Sequence, residues 1–199
     1  MSSLGLHLQA SFEDKKTEEG IALEAARKSK DSKTAYIVLT DTKTRFSKIS
    51  RWVTGDPYNH VSISFESDYE PMYTYALVNK GGLKGGFKKE TTKILKGAHY
   101  LVYSIELTQK QFTQVRARVV ELEANLGDTR YNHLGLFNAV FRKNIFQSRH
   151  KAGQVCSEFV ATLLENVGIE ILDGRDASII RPYEFIQTKL LDFVEEGRF

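Results

Sequence analysis

One cysteine in 199 residues, Cys156, excludes an intramolecular disulfide and any zinc site that needs two or more thiolates. Three prolines are too few for a proline-rich linker. No apolar run approaches the ~18 residues a membrane helix needs, and the start, MSSLGLHLQASFEDKKTEEG, lacks the basic and apolar regions of a secretory signal. Charge of one sign is scarce as well: 28 Lys and Arg against 25 Asp and Glu leave a net +3, too little to mark a nucleic-acid surface without a clustered stripe. These absences predict a soluble, cytoplasmic protein with no transmembrane segment and no nucleic-acid partner. Its oligomeric state stays open.

What is present is enough apolar material, 41% of residues with 11% aromatic, for one substantial core. Residues 1–33 are polar and of mixed charge, with one helix-like stretch at Ile21 to Arg27, and read as an N-terminal extension. The domain proper is expected over residues 34–199. AYIVLT (35–40) reads as a buried strand. Phe46, Ile49 and Val53 suggest a short amphipathic helix. HVSISFE (60–66) alternates, with His60, Ser62 and Ser64 on one face and Val61, Ile63 and Phe65 on the other, which predicts a half-buried strand. MYTYALV (72–78) follows as its partner, then a glycine-studded loop, KGGLKGGFKK, then a strand through HYLVYSIEL (99–107).

Thr108 with Gln111 forms a possible capping box, and Phe112, Val115, Val119, Leu122 and Leu126 recur at spacings of three and four, predicting a helix over 109–126. YNHLGLFNAVF suggests a partly buried short helix. In CSEFVATLLENVG, residues Phe159, Val160, Leu163, Leu164 and Val167 share a stripe that ends at Gly168, so Cys156 falls in the first turn of a helix.

A cysteine there gains from unpaired backbone N–H groups and the positive end of the helix dipole, which stabilise a thiolate and can hold a developing oxyanion. Its alternative is a small buried hydrophobe on the stripe of Phe159 and Val160. Glu158 favours the helix start but opposes a thiolate. A nucleophile also needs a proton acceptor. His60 begins a strand after a turn, beside small Ser62 and Ser64, which leaves room for a helix end. The competing readings are a surface histidine at 60 and His133 in YNHLGLF as the partner. Among the histidines no HxH or HExxH occurs, so neither a metal nor another cofactor is expected. No phosphate-loop pattern occurs in the glycine loop either, and its lysines, Lys84, Lys88 and Lys89, read as solvated.

Tyr58-Asn59-His60-Val61-Ser62-Ile63 on a strand, with Cys156-Ser157-Glu158-Phe159-Val160 far downstream on a helix, resembles the circularly permuted papain-fold hydrolases of the NlpC type, including the YiiX-like group. The likeness covers residues 35 to about 185, with Ser62 where glycine is commonest in that family. It implies an α+β, papain-like (permuted NlpC-type) fold, a small and mainly antiparallel sheet packed against helices. It also implies a Cys156–His60 dyad with a third polar group on the strand after His60. That strand offers only Tyr75 or Thr74. The implied activity is thiol-dependent hydrolysis or acyl transfer at a peptide amide or acyl ester, with a peptide, amide or acyl-lipid substrate. The alternative is a degenerate papain-fold module that binds peptides or lipid head groups without turnover.

Overall fold

Ten residues of extended, largely buried chain, Ser32–Asp41 (β1), form the spine of the protein. The structure is a computed structural model that describes residues 32–42, 55–77, 85–132, 135–141, 143, 153–171 and 173–199. β1 pairs antiparallel on one side with His60–Ser64 (β2), and on the other, from Ser32↔Thr108 to Asp41↔His99, with His99–Thr108 (β5). The strand therefore starts before the expected Ala35, and Ser32 and Lys33 belong to the sheet rather than to the extension. Residues 1–31, and the helix expected around Phe46 to Val53, lie outside the described residues.

Met72–Leu77 (β3) and Gly85–Glu90 (β4) continue the sheet beyond β2, and Asp192–Arg198 (β8) closes it beyond β5, giving the antiparallel order β4-β3-β2-β1-β5-β8. β4 corrects the loop expected at KGGLKGGFKK. Two glycines and two lysines argue against a strand on propensity, yet here the glycines are what lets the strand fit. A Cβ on Gly85 would lie 2.5 Å from the Ala76 carbonyl and 2.9 Å from the Tyr131 Cβ, so close backbone approach, rather than side-chain packing, holds β4 in place.

The pattern of β2 is hydrophobic on one face, but all five of its residues are buried, because both faces of the sheet are covered. On one face Ile37, Leu39, Val61, Ile63, Tyr75 and Phe87 join the helices in the main core. On the other, Val38, Met72 and Val102 pack under Leu95 and Ala98. His60, Ser62 and Ser64 are thereby taken out of water, and each buried polar group needs a partner.

Helix Gln109–Ala124 (α1) has the expected capping box. The Thr108 hydroxyl accepts from the Gln111 N–H at 3.3 Å, and the Gln111 side chain accepts from the Thr108 N–H at 3.0 Å, a cap worth about 1 kcal/mol. It buries Val115, Val119 and Leu122. Leu126 lies past the helix end and is half exposed. A two-residue parallel ladder then joins Arg130–Tyr131 (β6) to Gly153–Gln154 (β7), with helix Gly135–Phe141 (α2) between them in the chain. Helix Cys156–Glu165 (α3) follows β7 directly and packs on β2 and β3. Its Phe159 meets Tyr75 and Phe87 at ring-centroid distances of 5.2 and 5.6 Å, and truncation of such a buried aromatic costs about 3–5 kcal/mol. After α3 the chain turns at Gly168, whose φ of +79° is the left-handed conformation glycine favours. No helix of the described residues is long and apolar enough to cross a membrane.

Candidate functional site

β7 delivers Val155 as the residue before α3, and Cys156 is the first residue of the helix. Phe159 N–H makes a helical bond to the Val155 carbonyl at 2.9 Å, so the N–H groups of Cys156, Ser157 and Glu158 have no carbonyl four residues back inside the helix. Glu158 turns its carboxylate back onto the Val155 N–H at 3.3 Å. Burial pushes the Glu158 carboxyl up, the Val155 bond opposes that, and Asp176 adds to it. Cys156 itself is 5% exposed.

β2 packs against this helix and brings His60, 7% exposed, close enough to Cys156 for the sulfur to raise the imidazole pKa. The other side of the ring is held by a residue absent from the sequence reading. Nε2 of His60 lies 2.9 Å from Oε2 of Glu90, at the end of β4. Both partners are more than nine-tenths buried. Burial, the largest single influence, lowers the His60 pKa, but the Glu90 charge and the contributions of Cys156 and of the Glu90 hydrogen bond together outweigh it and lift the value to about 10. For Glu90 burial pulls upward most strongly, and the His60 charge and hydrogen bond, with Lys88 and Ser62 adding to them, together overcome it, so its carboxyl is held below the usual range. The pair is therefore an imidazolium and a carboxylate at neutral pH. With Nε2 committed to Glu90, Nδ1 is the nitrogen left for the sulfur.

Neither residue expected on β3 orients this imidazole. Thr74 donates its hydroxyl to the Val61 carbonyl at 2.8 Å, buttressing β2 from the side. Tyr75 is 2% exposed and lies in the main core between Phe87 and Phe159, and burial pushes its phenol up. The acidic group comes instead from one strand further along. Its only trace in the sequence is the acid ending the run GGFKKE, in which Gly86, Lys88 and Glu90 alternate.

Tyr131 was also missed. The β6–β7 ladder sets it opposite Gln154, two residues before the cysteine, and Asn132 N–H locks that register on the Gln154 carbonyl at 3.0 Å. Burial raises its phenol pKa well above 10, with the charges of Cys156 and Glu158 adding to the effect. Its phenol is thus neutral at ordinary pH, on the strand paired with the residues that lead into Cys156. His133 lies outside the described residues.

One C-terminal segment fastens both halves of the site. The Ser157 hydroxyl donates to the Ile180 carbonyl at 2.6 Å, and the Arg181 guanidinium bridges to Asp56, four residues before His60, at 2.9 Å. Glu184 caps the Arg181 N–H at 2.9 Å and pairs with Arg175 at 2.9 Å.

Chemically, this is a thiol at a helix start, an imidazolium near it, a carboxylate fixing the imidazolium, and a neutral phenol from the neighbouring strand. Such a set can attack an electrophilic carbon, stabilise an oxyanion and pass a proton to a leaving group. No protein-family model and no curated protein sequence matches the chain.

Proposed function

We propose that the protein is a cysteine hydrolase or acyltransferase of the permuted papain-like, NlpC type, acting through an acyl-enzyme on a peptide amide or acyl ester. The observation that carries this reading is the buried His60–Glu90 pair, which β2 brings up to the helix that Cys156 begins. The order of a histidine strand before a cysteine helix supports the same assignment.

The sulfur, as thiolate paired with the His60 imidazolium, forms a bond to the carbonyl carbon. The carbonyl electron pair moves onto oxygen, held by N–H groups of the first turn of α3 and by the Tyr131 phenol. Collapse of this intermediate breaks the bond to the leaving nitrogen or oxygen, which takes the proton from Nδ1 of His60. A thioester on Cys156 remains. Neutral His60 then removes a proton from water or an acceptor alcohol or amine as it attacks the thioester, and the thiolate leaves. Through both halves Glu90 keeps the imidazolium favourable. Because His60 holds its proton up to about pH 10, its role in the first half is general acid rather than the base suggested by the sequence.

The carboxylate of Glu90 on the His60 imidazole supports turnover over the alternative of a module that binds without it. The test is to incubate the native protein with p-nitrophenyl acyl esters and with acyl-peptide amides, quench in acid, and weigh the intact protein. An acyl adduct that is mapped to Cys156, and is absent from Cys156→Ala, is expected. Failure of the native thiol to accept either an acyl group or iodoacetamide near neutral pH would overturn the assignment.

A further inference from the structure

Exposed apolar side chains scattered singly need no explanation, but two on α2 form a pair. Phe137 and Phe141 lie one turn apart, with ring centroids 6.5 Å apart and planes 13° from parallel, and they are 48% and 57% exposed. Another side of the same helix is buried. Asn138 is 1% exposed, and α2 packs on the single turn Ala177–Ile179, which leads into the Ile180 carbonyl that holds Ser157. Hydrogen bonds fasten the start of α2 to the strand before the cysteine. The Gly135 N–H donates to Asn132 Oδ1 at 2.8 Å, and the Asn132 N–H donates to the carbonyl of Gln154, two residues before Cys156, at 3.0 Å. At the other end the Lys143 N–H donates to the Asn138 carbonyl at 3.2 Å, so that an exposed lysine stands two residues past Phe141.

Charge along the sequence is distributed to match. Residues 129–157, which hold α2, Tyr131 and Cys156, contain Arg130, Arg142, Lys143, Arg149 and Lys151 and no Asp or Glu, leaving 23 basic against 25 acidic residues in the rest of the chain. The net positive charge of the protein is therefore the charge of this one stretch. Exposed phenylalanines set among cations, with no acid nearby in the sequence, complement a bilayer with anionic head groups. Its acyl boundary takes rings that carry no polar atom, and its phosphates attract the lysines and arginines. A nucleic acid would use the charge, but it presents no amide or acyl ester carbon to Cys156.

We propose that α2 and Lys143 form a docking surface for an anionic lipid bilayer, with Phe137 and Phe141 entering its acyl boundary. The docking stands on the exposed pair and the charge. Its consequence, that the acyl groups presented to Cys156 are those carried in the bilayer, rests on the reading of Cys156 as the nucleophile.

The experiment is co-sedimentation of the full chain with vesicles of phosphatidylcholine alone, or of phosphatidylcholine mixed with phosphatidylglycerol, at low and high salt. Binding to the mixed vesicles, and its loss as salt rises, is expected. Phe137→Ser and Phe141→Ser should each weaken it by at least about tenfold, the scale for withdrawing one phenylalanine from an apolar surrounding. Lys143→Gln should weaken it by about fivefold. Phe141→Leu, which stays apolar, should keep most of it, and Cys156→Ala should bind as the wild type does. Thermal melts of the Phe variants should match the wild type, since both rings are largely exposed in the folded protein. Equal binding to neutral vesicles, no binding to either, or full binding by both Phe→Ser variants would overturn the proposal. So would tighter binding of single-stranded DNA or polyglutamate than of the mixed vesicles, or self-association in light scattering that Phe141→Ser abolishes. Vesicle binding by a protein whose Cys156 accepts no acyl group would instead defeat the nucleophile assignment and leave the docking surface standing. An acyl adduct from soluble esters without vesicle binding would defeat the surface alone.

Discussion

Gly86 and Thr129 approach so closely that a methyl group on Gly86 would lie 2.5 Å from the Thr129 Oγ1. The same hydroxyl accepts the Phe87 N–H at 3.1 Å and donates to the Leu126 carbonyl at 3.0 Å. The beginning of β4 is thereby tied to the turn after α1, and Glu90 stands at the far end of that strand. Gly86→Ala should cost about 1–3 kcal/mol by overpacking and should slow Cys156 alkylation through displacement of Glu90. Combining it with Thr129→Ala should recover part of the stability. Urea melts of the four proteins test this; strictly additive losses would show that the contact is not what excludes a side chain at 86.

The His60–Glu90 pair gives a pH signature with a defined sign. His60 is raised from 6.5 to about 10 in the folded state, so its contribution is complete below pH 6.5 and fades as pH climbs toward 10. Glu90 is lowered from 4.5, so its contribution is present above pH 4.5 and is lost as pH falls through the depressed value. Stability from the pair should peak between pH 4.5 and 6.5 and decline across the range 6.5 to 10. Thermal melts against pH should show this alkaline decline in the wild type, with a much flatter limb in Glu90→Gln. That variant should lose about 3 kcal/mol near pH 6, the scale for leaving a buried charge without its partner. A wild-type melt that stays level to pH 10 would contradict the paired state.

Tyr131→Phe removes one O–H and keeps the ring. If the phenol stabilises the oxyanion, acyl-enzyme formation should slow by about 10²-fold, the scale for one oxyanion donor. The melt should change little. Stopped-flow acylation with an activated ester provides the check, and an unchanged acylation rate would remove Tyr131 from the chemistry.

Arg181 and Asp56 should act as one unit. Asp56→Asn and Arg181→Met should each lower stability, and the double variant should fall short of the sum by about 1 kcal/mol or more, as interacting residues do. Both should also slow alkylation of Cys156, since the same segment holds Ser157 through the Ile180 carbonyl. Retention of full thiol reactivity by Arg181→Met would show that the tie to Asp56 serves stability alone.

Much of the scaffold is readable from periodicity. β1, β2, β5, α1 and α3 carry apolar spacings of two or of three and four, with Thr108 and Gly168 marking ends, and each forms near its expected limits. Two of the strands that the sequence does not announce fail that signal for different reasons. β4, GGFKKE, is held by backbone proximity to Ala76, Tyr131 and Thr129 that no residue type announces. β8, DFVEEGR, is a mostly exposed, acidic outer strand, and charge is how an unpaired sheet margin resists further pairing. In the site, His60 and Cys156 each carry a local pattern. Glu90 and Tyr131 do not, since both reach the sulfur's surroundings only through long-range pairing.

The bond between Glu90 and His60 runs from β4 to β2 with β3 lying between them. Neighbouring strands stand about 4.8 Å apart, so a 2.9 Å contact two strands away exists because two long side chains reach toward each other over β3. The hydrogen bond is a bridge, and β3 is the ground beneath its span. A substitution on β3 that touches neither partner but shifts that strand changes the span and loosens the proton on the imidazole. Strand spacing, ordinarily a property of the scaffold, is here a variable of acid–base chemistry.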